Sequence, residues 1–302
     1  MSAIQVLLHQ SIDYAGLFPP AELDMGTALE NYARYSDGPA AWALGRFIIP
    51  AARLAELEHE LRRVPGPPVN RPWRLAALLG ADANSDVQLL DAFNRRHMEA
   101  GIVIDTVEVK ATSETGVGEI VGGVPPRLQT YIEIPLDGDP APLLGAIGRG
   151  GRRAKVRTGG VTHAAFPQTR DLLRFLRAST HLAVPFKATA GLHHPLRAEY
   201  KLTYAQNSPS AIMFGFLNLM LAVASLRSGM DDADVERLLE EGDSGAIQAD
   251  GSGIGWRNRR LDLAVLRDAR RLGMNSFGSC SFTEPIEDLE SMHLLAPSVS
   301  QT

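Results

Sequence analysis

A single cysteine, Cys280, stands in 302 residues. That excludes a disulfide framework and any cysteine-rich zinc or iron–sulfur site, and it fits a reducing compartment. Positive charge is not in excess: the formal net charge is −5, and no block of basic residues is interleaved with aromatics. Nucleic-acid binding is therefore not expected. Long apolar runs are also missing. The strongest, 211–226, is broken by Gly215, Asn218 and Ser225 and falls short of the roughly 20 residues a bilayer crossing needs. It reads instead as a buried or subunit-contacting helix, so no membrane association is expected. The first nine residues lack a basic segment ahead of their short apolar run, so no signal peptide is expected and a cytoplasmic location is. Lysine is scarce too. Of 30 basic residues only Lys110, Lys155, Lys187 and Lys201 are lysines. An amine can form a Schiff base and a guanidinium cannot, so the place of each amine is informative.

What is present is an ordinary globular composition, 45% hydrophobic and 22% charged, enough to bury a sizeable core. Short extended segments at 46–50, 73–79, 105–111, 130–135, 154–158, 185–189 and 276–281 alternate with helical patterns. An eighth at 11–17 is interrupted by Gly16 and Pro19-Pro20. Helical periodicity marks 51–64, with Leu54, Leu57 and Leu61, then a segment opened by Asn84-Ser85-Asp86, then 166–182 and 261–272. Strand and helix alternating at this rhythm predict βα units and a parallel sheet. Eight units make a (β/α)8 barrel, here one domain over 1–302. The excess length falls between the strands ending at 189 and beginning at 276. Residues 200–258 are expected to form a helical insertion on the active-site face, serving as a lid or an oligomer contact. It holds the apolar run, an acidic helix over 231–241, and a glycine-rich stretch, 242–255, expected to be mobile.

Period-two alternation assigns faces. Val107 and Val109 oppose Glu108 and Lys110; Ile132 opposes Tyr131 and Glu133; Ala154 and Val156 oppose Lys155 and Arg157; Phe186 and Ala188 oppose Lys187 and Thr189. The outer face of a barrel meets its helices, so the ionisable set is expected in the lumen. That predicts an interior cluster of Lys110, Lys155, Lys187 and Arg157 against Glu108 and Glu133, in which a lysine beside other cations loses its proton more easily. A plain internal salt-bridge network is the structural alternative, but buried ion pairs are weak stability devices.

These motifs resemble those of the deoxyribose-phosphate aldolases, class I aldolases on a (β/α)8 barrel. Ala154-Lys155-Val-Arg-Thr158-Gly159 resembles the family's Lys-x-Ser-Thr-Gly strand. Phe186-Lys187-Ala-Thr-Ala-Gly191 resembles its second lysine strand, and Phe277-Gly278-Ser279-Cys280-Ser281 its last. The resemblance implies that Lys155 forms the Schiff base, that Lys187 lowers its pKa, and that Glu108 stands where the family has a proton-transferring aspartate. It implies no cofactor and no metal. The family's serine is Arg157 here, its glycine pair is Ala190-Gly191, and the arginine beyond is His193. A phosphate site would be retained only in part, through Gly159, Gly160, Gly191, Ser279 and Ser281. The expected substrate is a small-molecule carbonyl compound, with Lys110, Glu133, Arg157 and His193 as further binding residues and Arg157 holding a carboxylate.

Two other readings stand beside the lyase. One is a metal-dependent barrel lyase or hydrolase in which His193 or His194 joins Glu108 or Glu133, although no His-x-His or His-Glu-x-x-His spacing accompanies them. The other is a barrel sensor or scaffold, homo-oligomeric like the enzyme, with the apolar 211–226 segment as its partner surface. Among single residues, Cys280 is expected to pack outward, 13–20 to close the pocket mouth or form a structural loop, Arg46 to be solvated and Lys201 to be exposed.

Overall fold

In the computed structural model, which describes residues 2–68 and 70–297, the eight expected segments form eight strands: β1 (Ile12–Tyr14), β2 (Leu44–Pro50), β3 (Trp73–Leu78), β4 (Ile102–Lys110), β5 (Gln129–Glu133), β6 (Arg153–Arg157), β7 (Phe186–Thr189) and, after an insertion, β13 (Met274–Ser279). Each pairs in parallel with its neighbours, and β1 closes the ring on β13. This is a (β/α)8 barrel. The outward apolar set does what alternation requires: Val107, Ile132, Ala154, Val156, Phe186 and Ala188 are buried in one core against the helix layer.

That layer comprises α1 (Ala3–Leu8), α2 (Met25–Asp37), α3 (Leu54–Glu60), α4 (Ala83–His97), α5 (Glu114–Gly123), α6 (Ala141–Arg149) and α7 (Thr169–His181), with α8 (Phe216–Arg227), α9 (Asp232–Leu239), α10 (Leu263–Leu272) and α11 (Thr283–Ser291) following β7 or β13. Short polar side chains start many of them. Asp24, Asp82, Ser113, Asp231 and Asp262 each accept a backbone N–H of the first turn, satisfying donors a helix start leaves open. Asp82, rather than the Asn84-Ser85-Asp86 run, caps α4.

The insertion departs from expectation. It is mixed rather than helical, carrying the hairpin β8 (Ala198–Lys201) and β9 (Ser210–Met213) and an antiparallel sheet of β10 (Ile247–Ala249), β11 (Gly253–Trp256) and β12 (Arg259–Asp262). The glycine-rich stretch thus contributes β10 and most of β11. Close packing explains one of its glycines: a Cβ at Gly253 would lie 2.3 Å from the Leu261 carbonyl oxygen across the sheet. The apolar run splits between β9 and α8, and residues 216–225 of α8 are all buried inside the chain. The helical part of the run therefore offers no partner surface, whereas Ile212 on β9 is 55% exposed. Asn218 donates to the carbonyls of Leu238 and Glu241 at 2.8 and 3.0 Å, tying α9 back along α8. No helix of the described residues is long and apolar enough to cross a membrane.

Candidate active site

The lumen holds five ionisable side chains from five strands. Lys187 on β7 donates to Asp13 of β1 at 2.5 Å and to Glu108 of β4 at 2.6 Å, and its ammonium lies 5.5 Å from the centre of the Tyr131 ring. Lys155 on β6 lies 2.7 Å from the other oxygen of Glu108 and 2.9 Å from Glu133 of β5. The register explains the meeting, since Lys155 is level with Lys187 across β6–β7 and with Glu133 across β5–β6. Asp13 is fixed from both sides, by the Arg46 N–H at 2.8 Å and the Ser276 hydroxyl at 2.8 Å.

Charges decide the ionisation. Burial alone would raise the carboxyl pKa of Glu108, but Lys187 and Lys155 outweigh it and hold the group at about 2. Burial would lower Lys187, yet Asp13 and Glu108 prevail and keep it above the usual lysine range. Glu133, also partly desolvated, is brought below the usual carboxylate range by Lys155 and Lys110. Its Oε2 is nevertheless a buried acceptor with no aligned donor, because the Lys155 contact is close without being a hydrogen bond.

This cluster corrects the expected lumen. Lys110 and Arg157, each last on its strand, are exposed at the rim: the Lys110 side chain is 74% accessible and 3.3 Å from Glu133. Alternation gives a face, not a depth. The inner balance is two ammonium groups against the three carboxylates of Asp13, Glu108 and Glu133, acidic rather than basic. Asp13 was missed because β1 is three residues long and buried throughout, leaving no alternation to read. The available signal was charge balance, since two desolvated lysines require counter-charges.

Above the cluster, at the C-terminal ends of the strands where barrels commonly carry enzyme chemistry, opens a cavity of about 460 Å³. Glu108 and Lys155 form its floor, while Lys187, fully buried, lies outside its lining. Arg157, Gly160, Gly191 and His193 also line it, as do Ala15, Phe18, Pro19 and Pro20, so the loop after β1 forms part of its wall. Gly159 is set back. A Cβ there would lie 2.5 Å from the Phe166 ring and 3.1 Å from the Cα of Gly191, whose φ is +73°. Both positions require glycine to let the loops after β6 and β7 touch. Ser279 and Ser281 are not in the lining. Ser279 faces His193 Nδ1 at 3.1 Å, and Ser281 accepts the Glu284 N–H at the start of α11.

Cys280, against expectation, faces the cavity. The strand ends at Ser279, so alternation no longer governs the next residue. Its thiol is pushed up to about 11 by burial and lies 3.5 Å from the Tyr204 hydroxyl, on the loop joining β8 to β9. Thr189, read on the inward face of its strand, lines the cavity, as do Tyr204 and Glu284, which were not foreseen. His193 is pulled down to about 4 by burial and by neighbouring His194, so it is neutral at pH 7. His194 pairs with Asp288 at 2.7 Å and stacks on Tyr200. Arg46 is not merely solvated, but forms a two-pronged pair with Asp105 at 2.6 and 2.9 Å. Lys201 is exposed as expected and donates to the Gln206 carbonyl. Among the described residues, no group of three or more His, Cys, Asp or Glu side chains is arranged to hold a metal ion. No protein-family model matches this chain, and neither does any solved structure.

Proposed function

We propose that this barrel is a carbon–carbon lyase or aldolase of the class I kind, acting on a small carbonyl compound through a Schiff base on Lys155 and needing no cofactor. One observation carries the reading: of the two buried lumen amines, Lys155 alone reaches the cavity floor, and it does so between two carboxylates. Lys187, held charged beneath it, keeps Glu108 ionised.

The steps follow from those positions. Lys155 yields a proton to the open Oε2 of Glu133 and attacks the carbonyl carbon with its freed lone pair, while the carbonyl oxygen takes that proton back from Glu133. Loss of water gives the iminium, whose charge faces the Glu108 carboxylate. The iminium draws in the electron pair of the adjacent carbon–carbon bond as the Glu133 carboxylate takes the proton of the substrate's β-hydroxyl, one carbonyl fragment leaves, and that proton is the one Glu133 then returns to the enamine carbon. The enamine left behind is protonated at carbon, and water releases the second fragment and the amine. In reverse the same sequence forms the bond.

Borohydride reduction in the presence of a panel of aldehydes and 2-oxo acids, followed by peptide mass spectrometry, tests this. A reduced adduct on Lys155, absent from Lys155→Met, is expected, with turnover reduced at least about 1,000-fold in that variant. A substrate that is turned over without any adduct on Lys155 overturns the reading.

A further inference from the structure

The floor of the cavity spends its charges internally, and several polar groups of its walls are engaged as well: His193 with Ser279, His194 with Asp288, Tyr200 with the Leu196 carbonyl and Tyr204 with Cys280. Between those groups Ala15, Phe18, Ile48, Leu78, Leu202 and Met213 supply apolar wall. A sugar-like chain would set hydroxyls against these apolar groups, where each is left without a partner. One free polar atom points to a single oxygen near the floor: Thr189 Oγ1 is buried without a partner on the cavity wall. At the mouth the chemistry changes. Arg157 lines the cavity and makes no ion pair among the described residues, only a 3.4 Å hydrogen bond to the Gly159 carbonyl. Val161 and Tyr204, 41% and 57% exposed, extend the apolar wall outward beside it.

We infer that the cavity takes an amphipathic anion, a compound with a hydrocarbon body against the apolar walls and one anionic end, carboxylate or phosphate, at Arg157. The inference rests on the proposed lyase reading only for the carbonyl that this molecule would present to Lys155. Binding itself needs no chemistry, and the experiment uses that. Each buried methylene contributes about 0.8 kcal/mol, so in calorimetry on the full chain the affinity for unreactive straight-chain alkanoates, from acetate to octanoate, rises about 4-fold per carbon. Hexanol, without the charge, binds about 10-fold or more weaker than hexanoate. Comparing hexanoate with hexyl phosphate identifies which anion the mouth prefers.

The variant Arg157→Gln abolishes the advantage of hexanoate over hexanol while keeping the rise with chain length. Leu78→Gln, or Met213→Gln should the first not fold, flattens that rise. A flat series, absence of binding, or gluconate binding as tightly as hexanoate overturns the inference. The outcomes separate the two claims. A chain-length rise without any borohydride adduct sinks the Schiff base and leaves the amphipathic ligand. An adduct with polyhydroxy aldehydes and a flat series does the reverse.

Discussion

The floor and the roof of the cavity are held in different ways. Asp13, Glu108, Glu133, Lys155 and Lys187 come from five paired strands and spend their charges on one another within 2.9 Å. Over them the β8–β9 hairpin rests on a small hydrophobic cluster of its own, in which Leu202, Ala211 and Met213 pack with Phe166 and Tyr200 apart from the main core. Its further ties are the Tyr200–His194 stack, with ring centres 3.7 Å apart, and the Tyr204–Cys280 contact. A floor of buried charges tolerates no missing partner, because a charge stranded in the interior costs more than the pair stabilises. A roof on a satellite cluster can open without disturbing the barrel. The positions that the proposed reaction needs fixed are on the strands, while the hairpin contributes to the wall of the cavity.

Removing a floor charge has the largest consequence. Lys187→Met strands Asp13 without its lysine, and Glu108 keeps only Lys155. The expected loss is about 3–5 kcal/mol, read as a lower urea midpoint at unchanged slope. Asp13→Asn added to it recovers a good part by removing the stranded charge. A single variant within about 1 kcal/mol of the parent contradicts the account of the floor.

Acid separates floor from mouth. His193 falls from 6.5 when unfolded to about 4 in the fold, so the fold favours the neutral ring. Its contribution is complete above pH 6.5 and is lost as pH drops to about 4. Glu108 falls from 4.5 to about 2, so the fold favours the carboxylate, and its contribution is complete above pH 4.5 and lost toward pH 2. Each is worth about 3 kcal/mol. Stability measured against pH should therefore fall in two steps. His193→Gln removes the upper step and Glu108→Gln the lower; a single step that neither variant alters refutes the assignment. Lys187 acts at the other extreme, its contribution full below 10.5 and lost as pH rises beyond it.

How much of this was legible follows from what alternation encodes. The rhythm of strand and helix placed the barrel strands, the first only as an interrupted segment, and period-two alternation turned Glu108, Glu133, Lys155 and Lys187 inward, because each of their strands offers an apolar face to the helices. It could not rank depth, so Lys110 and Arg157, at strand ends, were read as lumen residues although they stand on the rim. It failed where strands are too short or stop, as with Asp13 and Cys280. The hairpin was illegible for a different reason. Tyr204 meets Cys280 across 76 residues of chain, a contact that no local pattern carries.

The smallest expected effect is the one that separates the two layers most cleanly. Leu172 on α7 and Leu202 after β8 are both buried, 0% and 3% accessible, and by burial alone either change to alanine would cost about 2–5 kcal/mol. Only Leu172 belongs to the core that unfolds with the barrel. Leu172→Ala should lower global stability by that amount. Leu202→Ala should lower it by less than about 1 kcal/mol, the remainder appearing as local opening. Hydrogen exchange resolved by segment is the measurement. Amides over 198–213 should exchange faster than those of β6 and β7 in the parent protein and faster still in Leu202→Ala, with β6 and β7 unchanged. Equal protection of hairpin and barrel, or equal global losses from the two variants, would make roof and floor one cooperative unit.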